Sequence, residues 1–310
     1  MVSNMLADPV HPERGRFVRD QVAALRSLDG LAVELHEFSP GPRALGRAGL
    51  ELHRRYGSGE RFDVIHAHFG PTAWPTLAVP ARVRALTVHG TDLHHPRTRL
   101  ATRAVLPMID LLAAASAPLA RELPLRHARR DGVQVLPCGV DLERFYPLSR
   151  EHARAQLGLR SGAPYLLFPA DPSRAEKRHD RALELARAVG AELLALGGVD
   201  PLRVPLWVNA ASAVVVPSAR EGFGLAVLEA LACDVPVLAT PVGIHPCALQ
   251  GVDGTLCAPF ELARWRAALE PHLRAPDPRV DGRSSAGRFS AQTMAARVAA
   301  AWDTALEGSG

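Results

Sequence analysis

Apolar positions along this chain follow two alternating patterns. Short continuous runs rich in Val, Leu and Ile read as strands buried on both faces. Longer stretches with an apolar residue every third or fourth position read as helices with one core-facing side. The clearest succession of the two lies at residues 213–244. Val214, Val215 and Val216 make a strand closed by Pro217, and residues 218–224 make a loop. Residues 225–232 make a helix with Leu225, Leu228 and Leu231 at core-facing spacing, and residues 235–239 make a second buried strand. This is a βαβ unit whose loop sits at the carboxyl end of a strand, where open parallel sheets bind ligands.

The same alternation runs through the rest of the chain. Residues 1–4 read as the tail of a first strand without its apolar body, so either that strand is very short or the chain begins late. Phe17, Val18, Val22 and Leu25 mark a helix behind Gly15. Strands are expected at 31–38, 62–68, 85–89, 111–115 and 133–137, a helix at 41–59 and a short one after Pro118, with His94, His95 and Pro96 on a surface loop. After a linker at 147–149 come helices at 150–157, 181–189 and 205–210, strands at 165–170, 191–196 and 254–258, and final helices near 260–273 and 290–306. The prediction is an α/β chain of two Rossmann-like domains with parallel sheets. One covers 1–147 and the other 148–289.

Composition narrows this little. At 310 residues, with 47% hydrophobic and 22% charged, the chain is ordinary globular material for one large or two medium domains. It has no apolar run long enough to span a bilayer, and Asp8, Glu13 and Arg14 interrupt the N-terminus too early for a signal peptide. Cys138, Cys233, Cys247 and Cys257 lack metal or redox spacing and suit a reducing, cytoplasmic compartment. The net charge of +4 is carried by arginine, with Lys177 the one lysine. Such an Arg- and Ala-heavy chain points to a GC-rich coding sequence rather than to a nucleic-acid partner. A basic balance also suits anionic donors or peripheral contact at the inner face of a membrane.

The candidate chemistry sits in loops at strand ends. Gly222 and Gly224 let a backbone approach a ligand, and the helix behind them offers unpaired N–H groups to a phosphate. Glu221 and Glu229 frame that loop, placed to accept hydrogen bonds from sugar or ribose hydroxyls; the plainer reading is a surface loop with two solvated glutamates. Arg174, Lys177 and Arg178 precede the helix at 181–189, a second phosphate site by charge and dipole. His66 and His68 share a strand face, but no third ligand lies near in sequence, so no metal is expected. His89-Gly90-Thr91-Asp92 puts an imidazole and a carboxylate at the mouth of the sheet, and residues 243–246 form another turn facing the site. No paired carboxylates suggest a hydrolase.

EGFGLAVLE at 221–229 resembles the E-x7-E motif of retaining glycosyltransferases of family 4, which have the GT-B fold. DVIHAH at 63–68, HGTD at 89–92 and the GVD of 139–141 are similar to further elements of that family, and the resemblance covers nearly the whole chain. It implies two Rossmann-like domains facing across a cleft, with the last helix (about 290–310) packing back on the first, and a metal-independent, hexosyltransferase-type enzyme that uses no cofactor. The co-substrate would be a nucleoside-diphosphate sugar, UDP- or GDP-linked, and the acceptor a glycan, lipid or small molecule. By resemblance His89 lies beside the reacting sugar, Glu221 contacts the donor sugar and Glu229 holds the ribose. Lys177 and an arginine such as Arg174 clamp the diphosphate. Gly15 and the backbone of Gly222, Phe223, Gly224 and Leu225 lie against the donor. Two alternatives are a catalytically inactive GT-B nucleotide-sugar binder and a GT-B sugar-nucleotide epimerase.

Overall fold

The computed structural model describes residues 1–59, 61–123 and 132–308, and the chain divides into two units. Unit 1 is Met1–Gly139 with Ala291–Gly310, and unit 2 is Val140–Ser290. In unit 1 the order is β1 (Val2–Ser3), α1 (Arg16–Arg26), β2 (His36–Glu37), α2 (Pro42–Tyr56), β3 (Phe62–His68), α3 (Ala73–Thr76), β4 (Ala81–Val88), α4 (Thr91–His94), α5 (Pro96–Val105), β5 (Leu111–Ala114), α6 (Ala117–Arg121) and β6 (Gln134–Val135). Unit 2 has α7 (Arg150–Leu157), β7 (Tyr165–Phe168), α8 (His179–Val189), β8 (Glu192–Ala195), α9 (Val204–Ala210), β9 (Ala213–Val216), α10 (Leu225–Ala232), β10 (Val237–Ala239), α11 (His245–Leu249), β11 (Leu256–Cys257), α12 (Leu262–Arg274) and α13 (Arg283–Gly287). The chain then returns to unit 1 as α14 (Ala291–Glu307).

The unit 1 sheet runs β2-β1-β3-β4-β5-β6 and the unit 2 sheet β11-β10-β9-β7-β8; the registered pairs in both are parallel. The apolar runs are explained by burial on both faces. Along β4, Val83 and Ala85 pack with Leu25, Leu111, Val298 and Trp302, while Leu86 and Val88 pack on the other side with Val105, Leu106 and Leu112. A strand covered on both sides has no polar face to alternate with. In unit 2, Leu166, Phe168, Val215 and Leu238 pack against Leu185 of α8 and Trp265 and Leu269 of α12. Residues 142–148 are tied into unit 2 by arginine: Arg283 donates to the carbonyls of Leu142, Phe145 and Ala232, and Arg279 to those of Leu148 and Cys233.

Several expectations are corrected. The strand expected over 31–38 is paired only at His36–Glu37, because its neighbour β1 is two residues long and reaches no further back. His94, His95 and Pro96 are exposed, but only His95 is extended between helices: α4 ends at His94, and Pro96 opens α5, where a missing N–H costs nothing. Leu225 is half-buried at the start of α10, and the fully buried apolar face there is Val227, Leu228 and Leu231. No helix among the described residues is long and apolar enough to cross a membrane.

Candidate active site

In unit 2, β9 lies between β7 and β10, so the loops leaving the carboxyl ends of these three strands are neighbours. The loop after β7 carries Arg174 and Lys177 and closes on Arg178, which adopts a left-handed φ of 58°. The loop after β9 carries Ser218, Glu221, Gly222, Phe223 and Gly224, and the loop after β10 carries Thr240, Gly243 and His245. Lys177 Nζ donates to both carboxylate oxygens of Glu221, at 2.8 and 2.7 Å, across 44 positions of sequence. Ser218 Oγ adds a third hydrogen bond to Glu221 at 2.7 Å. Both partners are largely buried, with the side chain of Lys177 15% exposed and that of Glu221 7%. Burial pushes the Glu221 carboxyl up, but the Lys177 ammonium, His245 and the hydrogen bonds together outweigh it and hold the group below its ordinary value. An ammonium has three N–H donors. Two are spent on Glu221, leaving a third that could donate to another acceptor.

The loops after β9 and β10 are locked together. Ile244 N–H donates to Phe223 O at 2.7 Å, and Thr240 Oγ1 donates to Ser218 O. His245 Nδ1 lies 2.8 Å from Thr240 O, so Nδ1 carries the proton. Its Nε2 is buried with no hydrogen-bond partner among the described residues. That atom is also what makes Gly224 a glycine: a Cβ there would lie 2.5 Å from it, and φ is 102°. Burial lowers the His245 imidazole despite the nearby Glu221 carboxylate. His245 was legible in sequence only as part of a turn; nothing local shows that its ring reaches under the loop of Gly224.

The remaining residues expected to bind the donor spread out. Glu229 lies half-buried on α10, and Leu225 is its first helical residue. Arg174 is turned to Glu176, at 2.9 and 2.7 Å, with its side chain 53% exposed. Arg178 is likewise paired with Asp180 at 2.6 Å. Lys177 is therefore the cation of this loop that is drawn into the cluster, while both neighbouring arginines meet local carboxylates.

A second cluster sits in unit 1. His89 follows β4, and Gly15 caps α1 with φ 69°, where a Cβ would meet Met5 O at 2.3 Å. That turn brings Phe17 to 4.8 Å from the His89 ring, and Phe69 lies 4.9 Å from it. His68 Nδ1 and His89 Nε2 are hydrogen-bonded at 2.9 Å, and the His66 and His68 rings stack 4.9 Å apart. Trp302 Nε1 on α14 donates to His66 Nδ1 at 3.1 Å, which leaves His66 Nε2–H to donate to Thr87 Oγ1 at 2.8 Å. The three imidazoles stack and hydrogen-bond rather than converge, and no cluster among the described residues could hold a metal ion. Burial pushes His66 down to about 3 and also lowers His68 and His89, so all three are neutral at pH 7.

Asp92 corrects an expectation. Its carboxylate does not face outward beside His89. It is buried, and accepts hydrogen bonds from the backbone N–H groups of His89, Gly90 and Gly70, fixing the turn that presents His89. The role of Asp92 is to shape the loop. Phe17 and Trp302 were missed as partners of the histidines, because each is one apolar residue among several on an amphipathic helix.

Residues 10–144 match the family described as Glycosyltransferase Family 4, and residues 171–274 the family described as Glycosyl transferases group 1. The chain is 32% identical over 307 residues to a D-inositol 3-phosphate glycosyltransferase of Thermobispora bispora, covering 80% of this chain and 72% of that one. It is 31% identical to the Arthrobacter sp. protein of the same name, covering 78% of this chain and 63% of that one, so the chain spans less than two thirds of that relative. Its fold is similar to that of Anabaena HepE in complex with UDP-glucose, with a TM-score of 0.71 at 16% identity over 98% of each chain. None of these likenesses favours an inactive binder or an epimerase.

Proposed function

The chain belongs to the group 1, family 4 glycosyltransferases, and on that premise we propose that it is a retaining, metal-independent transferase moving a hexose from a UDP-linked donor to a small phosphorylated polyol or a related glycan. The observation that carries this reading is the buried Lys177–Glu221 pair, set among the loops after β7, β9 and β10 ahead of the N-terminus of α10. The remaining N–H of Lys177 and the first N–H groups of α10 offer positive charge where a departing nucleoside diphosphate gains negative charge. Such preorganised stabilisation is the largest contribution in many transfer reactions. Glu221, kept ionised by Lys177, accepts hydrogen bonds from donor-sugar hydroxyls, and Glu229 from the ribose. His89 is assigned the place beside the reacting sugar, as a neutral imidazole that can accept or donate one hydrogen bond. Retention follows when the acceptor attacks the face that the leaving group quits, with no enzyme nucleophile. The UDP preference is supported by the likeness to a UDP-glucose complex, and the acceptor class by the name of the relatives. Four free thiols suit a reducing, cytoplasmic setting.

The test is ligand-induced thermal stabilisation by UDP, GDP, ADP and TDP, followed by release of nucleoside diphosphate from the matching sugar donors with D-inositol 3-phosphate as first acceptor. A ligand of the folded state raises the midpoint by mass action. UDP is expected to shift the wild type, and neither Lys177→Ala nor Glu229→Ala. A shift retained in both variants, or no nucleotide shifting the wild type, removes the donor site from this place.

A further inference from the structure

One face of the unit 1 sheet carries a row of imidazoles. His66 and His68 alternate along β3, and His89 follows Thr87 of β4 in the same way, so the members of each pair turn to one side of the sheet. The Trp302 indole can only donate a hydrogen bond. Its contact with His66 Nδ1 therefore fixes that ring in the Nε2–H form, which donates to Thr87 Oγ1. His68 meets His66 by stacking, with 4.9 Å between ring centroids. What joins His68 to His89 is a separate hydrogen bond, from Nδ1 to Nε2 at 2.9 Å. A single proton lies in that bond, and the distance alone does not say which ring supplies it.

The outer nitrogens of the pair decide. His68 is 1% exposed, and its Nε2 is buried with no hydrogen-bond partner among the described residues. A proton on that nitrogen would strand an N–H in the core. Buried donors without an acceptor are rarer in folded proteins than buried acceptors without a donor. Burial lowers both imidazoles, so neither ring carries two protons at neutral pH. The His68 proton therefore sits on Nδ1 and is donated to His89 Nε2, which leaves the proton of His89 on its own Nδ1. His89 is only half-buried, and its Nδ1 is not among the closed-off nitrogens. The ring is held against turning over. Phe17 and Phe69 lie 4.8 and 4.9 Å from it, the His68 ring stacks at 5.2 Å, and Asp92 accepts from the His89 backbone N–H.

We infer that His68 is a positioning residue: it holds His89 in the Nδ1–H form, so that His89 meets a bound ligand as a hydrogen-bond donor and not as a base. The matching partner is an oxygen with a free lone pair, of the kind that sugar hydroxyls and phosphates present. Nδ1 already holds a proton and Nε2 is engaged by His68, so His89 has no nitrogen left to deprotonate an acceptor hydroxyl. That the ligand oxygen belongs to the donor sugar rests on the function proposed above; the form of the ring does not.

Protein carrying 15N-labelled histidine tests this. Protonated and bare ring nitrogens separate in nitrogen shift, and correlations to the ring carbon-bound protons say which nitrogen is which. The His89 signals are those that vanish in His89→Phe. In the wild type at neutral pH, His89 is expected to show a protonated Nδ1 and a bare Nε2. His68→Phe keeps a ring for stacking but has no N–H, and His89 should lose the fixed Nδ1–H form. His68→Asn, whose amide offers an N–H close to the place of Nδ1, should restore it. Adding UDP-glucose should move the His89 Nδ1 proton downfield in the wild type. A wild-type His89 protonated at Nε2, or a folded His68→Phe protein that keeps the Nδ1–H form, overturns the inference. The wild-type spectrum decides by itself if the variant does not fold. The expected form of the ring with no response to UDP-glucose upholds the role of His68 and counts instead against the placing of the donor sugar beside His89.

Discussion

At the scale of single residues, the candidate site depends on charges and rings removed from water. Lys177 and Glu221 neutralise one another in a largely buried place. Replacing either alone strands its partner's charge, which costs about 3 kcal/mol in such settings, whereas an apolar pair costs much less. Lys177→Met and Glu221→Leu should each lower stability by roughly that amount. The double variant should be more stable than the sum of the two predicts, with transfer lost in all three; strictly additive denaturation midpoints would show that the pair is not coupled. His66 gives a pH signature. Its folded value of about 3 lies below the ordinary imidazole value of 6.5, so the unfolded chain binds the proton more readily in that window. Stability from this group is complete above pH 6.5 and falls as pH drops through the window, reaching a loss of about 2 kcal/mol at pH 5. Urea midpoints at pH 7 and pH 5 should differ less in His66→Gln than in the wild type by that amount. An equal difference in both proteins would mean that His66 is not held neutral.

At the scale of elements, the loops after β9 and β10 act as one piece. Gly224 combines a φ of 102° with a Cβ position 2.5 Å from His245 Nε2. Gly224→Ala should cost about 2 kcal/mol from backbone strain and displace the start of α10, weakening UDP binding more than the stability loss alone explains. Calorimetric UDP titration at a temperature where the variant is fully folded measures this; an unchanged affinity would detach Gly224 from the donor loop. Much at this scale was legible in advance. The helices α7 and α10 begin and end where residue pattern and Gly and Pro breaks put them, because those signals lie within a few residues of the boundary. The strand at 31–38 was not: strand composition is local, but pairing needs a neighbour, and β1 offers one only at His36–Glu37.

At the scale of the whole molecule, unit 1 is discontinuous in sequence and unit 2 is continuous. α14 supplies Ala295, Val298 and Trp302 to the unit 1 core and the Trp302–His66 hydrogen bond. Ending the chain after Ser290 should therefore expose the β4–β5 face and unfold unit 1, while the fragment 140–290, which holds Lys177, Glu221, Gly224 and His245, should fold alone. Limited proteolysis with circular dichroism of the two shortened chains decides this; a stable 1–290 chain with intact unit 1 protection would show that α14 is dispensable.

The sequence by itself determined the parallel α/β character of both units, most of their strands, the loop that carries Glu221 and the helix that carries Glu229. These follow from apolar periodicity and from Gly and Pro at boundaries, properties of residues near one another in the chain. Tertiary structure alone decided that Lys177 meets Glu221 while Arg174 meets Glu176, that His245 reaches Gly224, that Asp92 turns inward, and that His66, His68, His89 and Trp302 form one buried chain of hydrogen bonds and stacked rings. Most of these contacts join separate loops and helices, and even the local ones turn on which way a side chain leaves its loop. Strand order and burial settle both, and neither leaves a mark on local residue pattern.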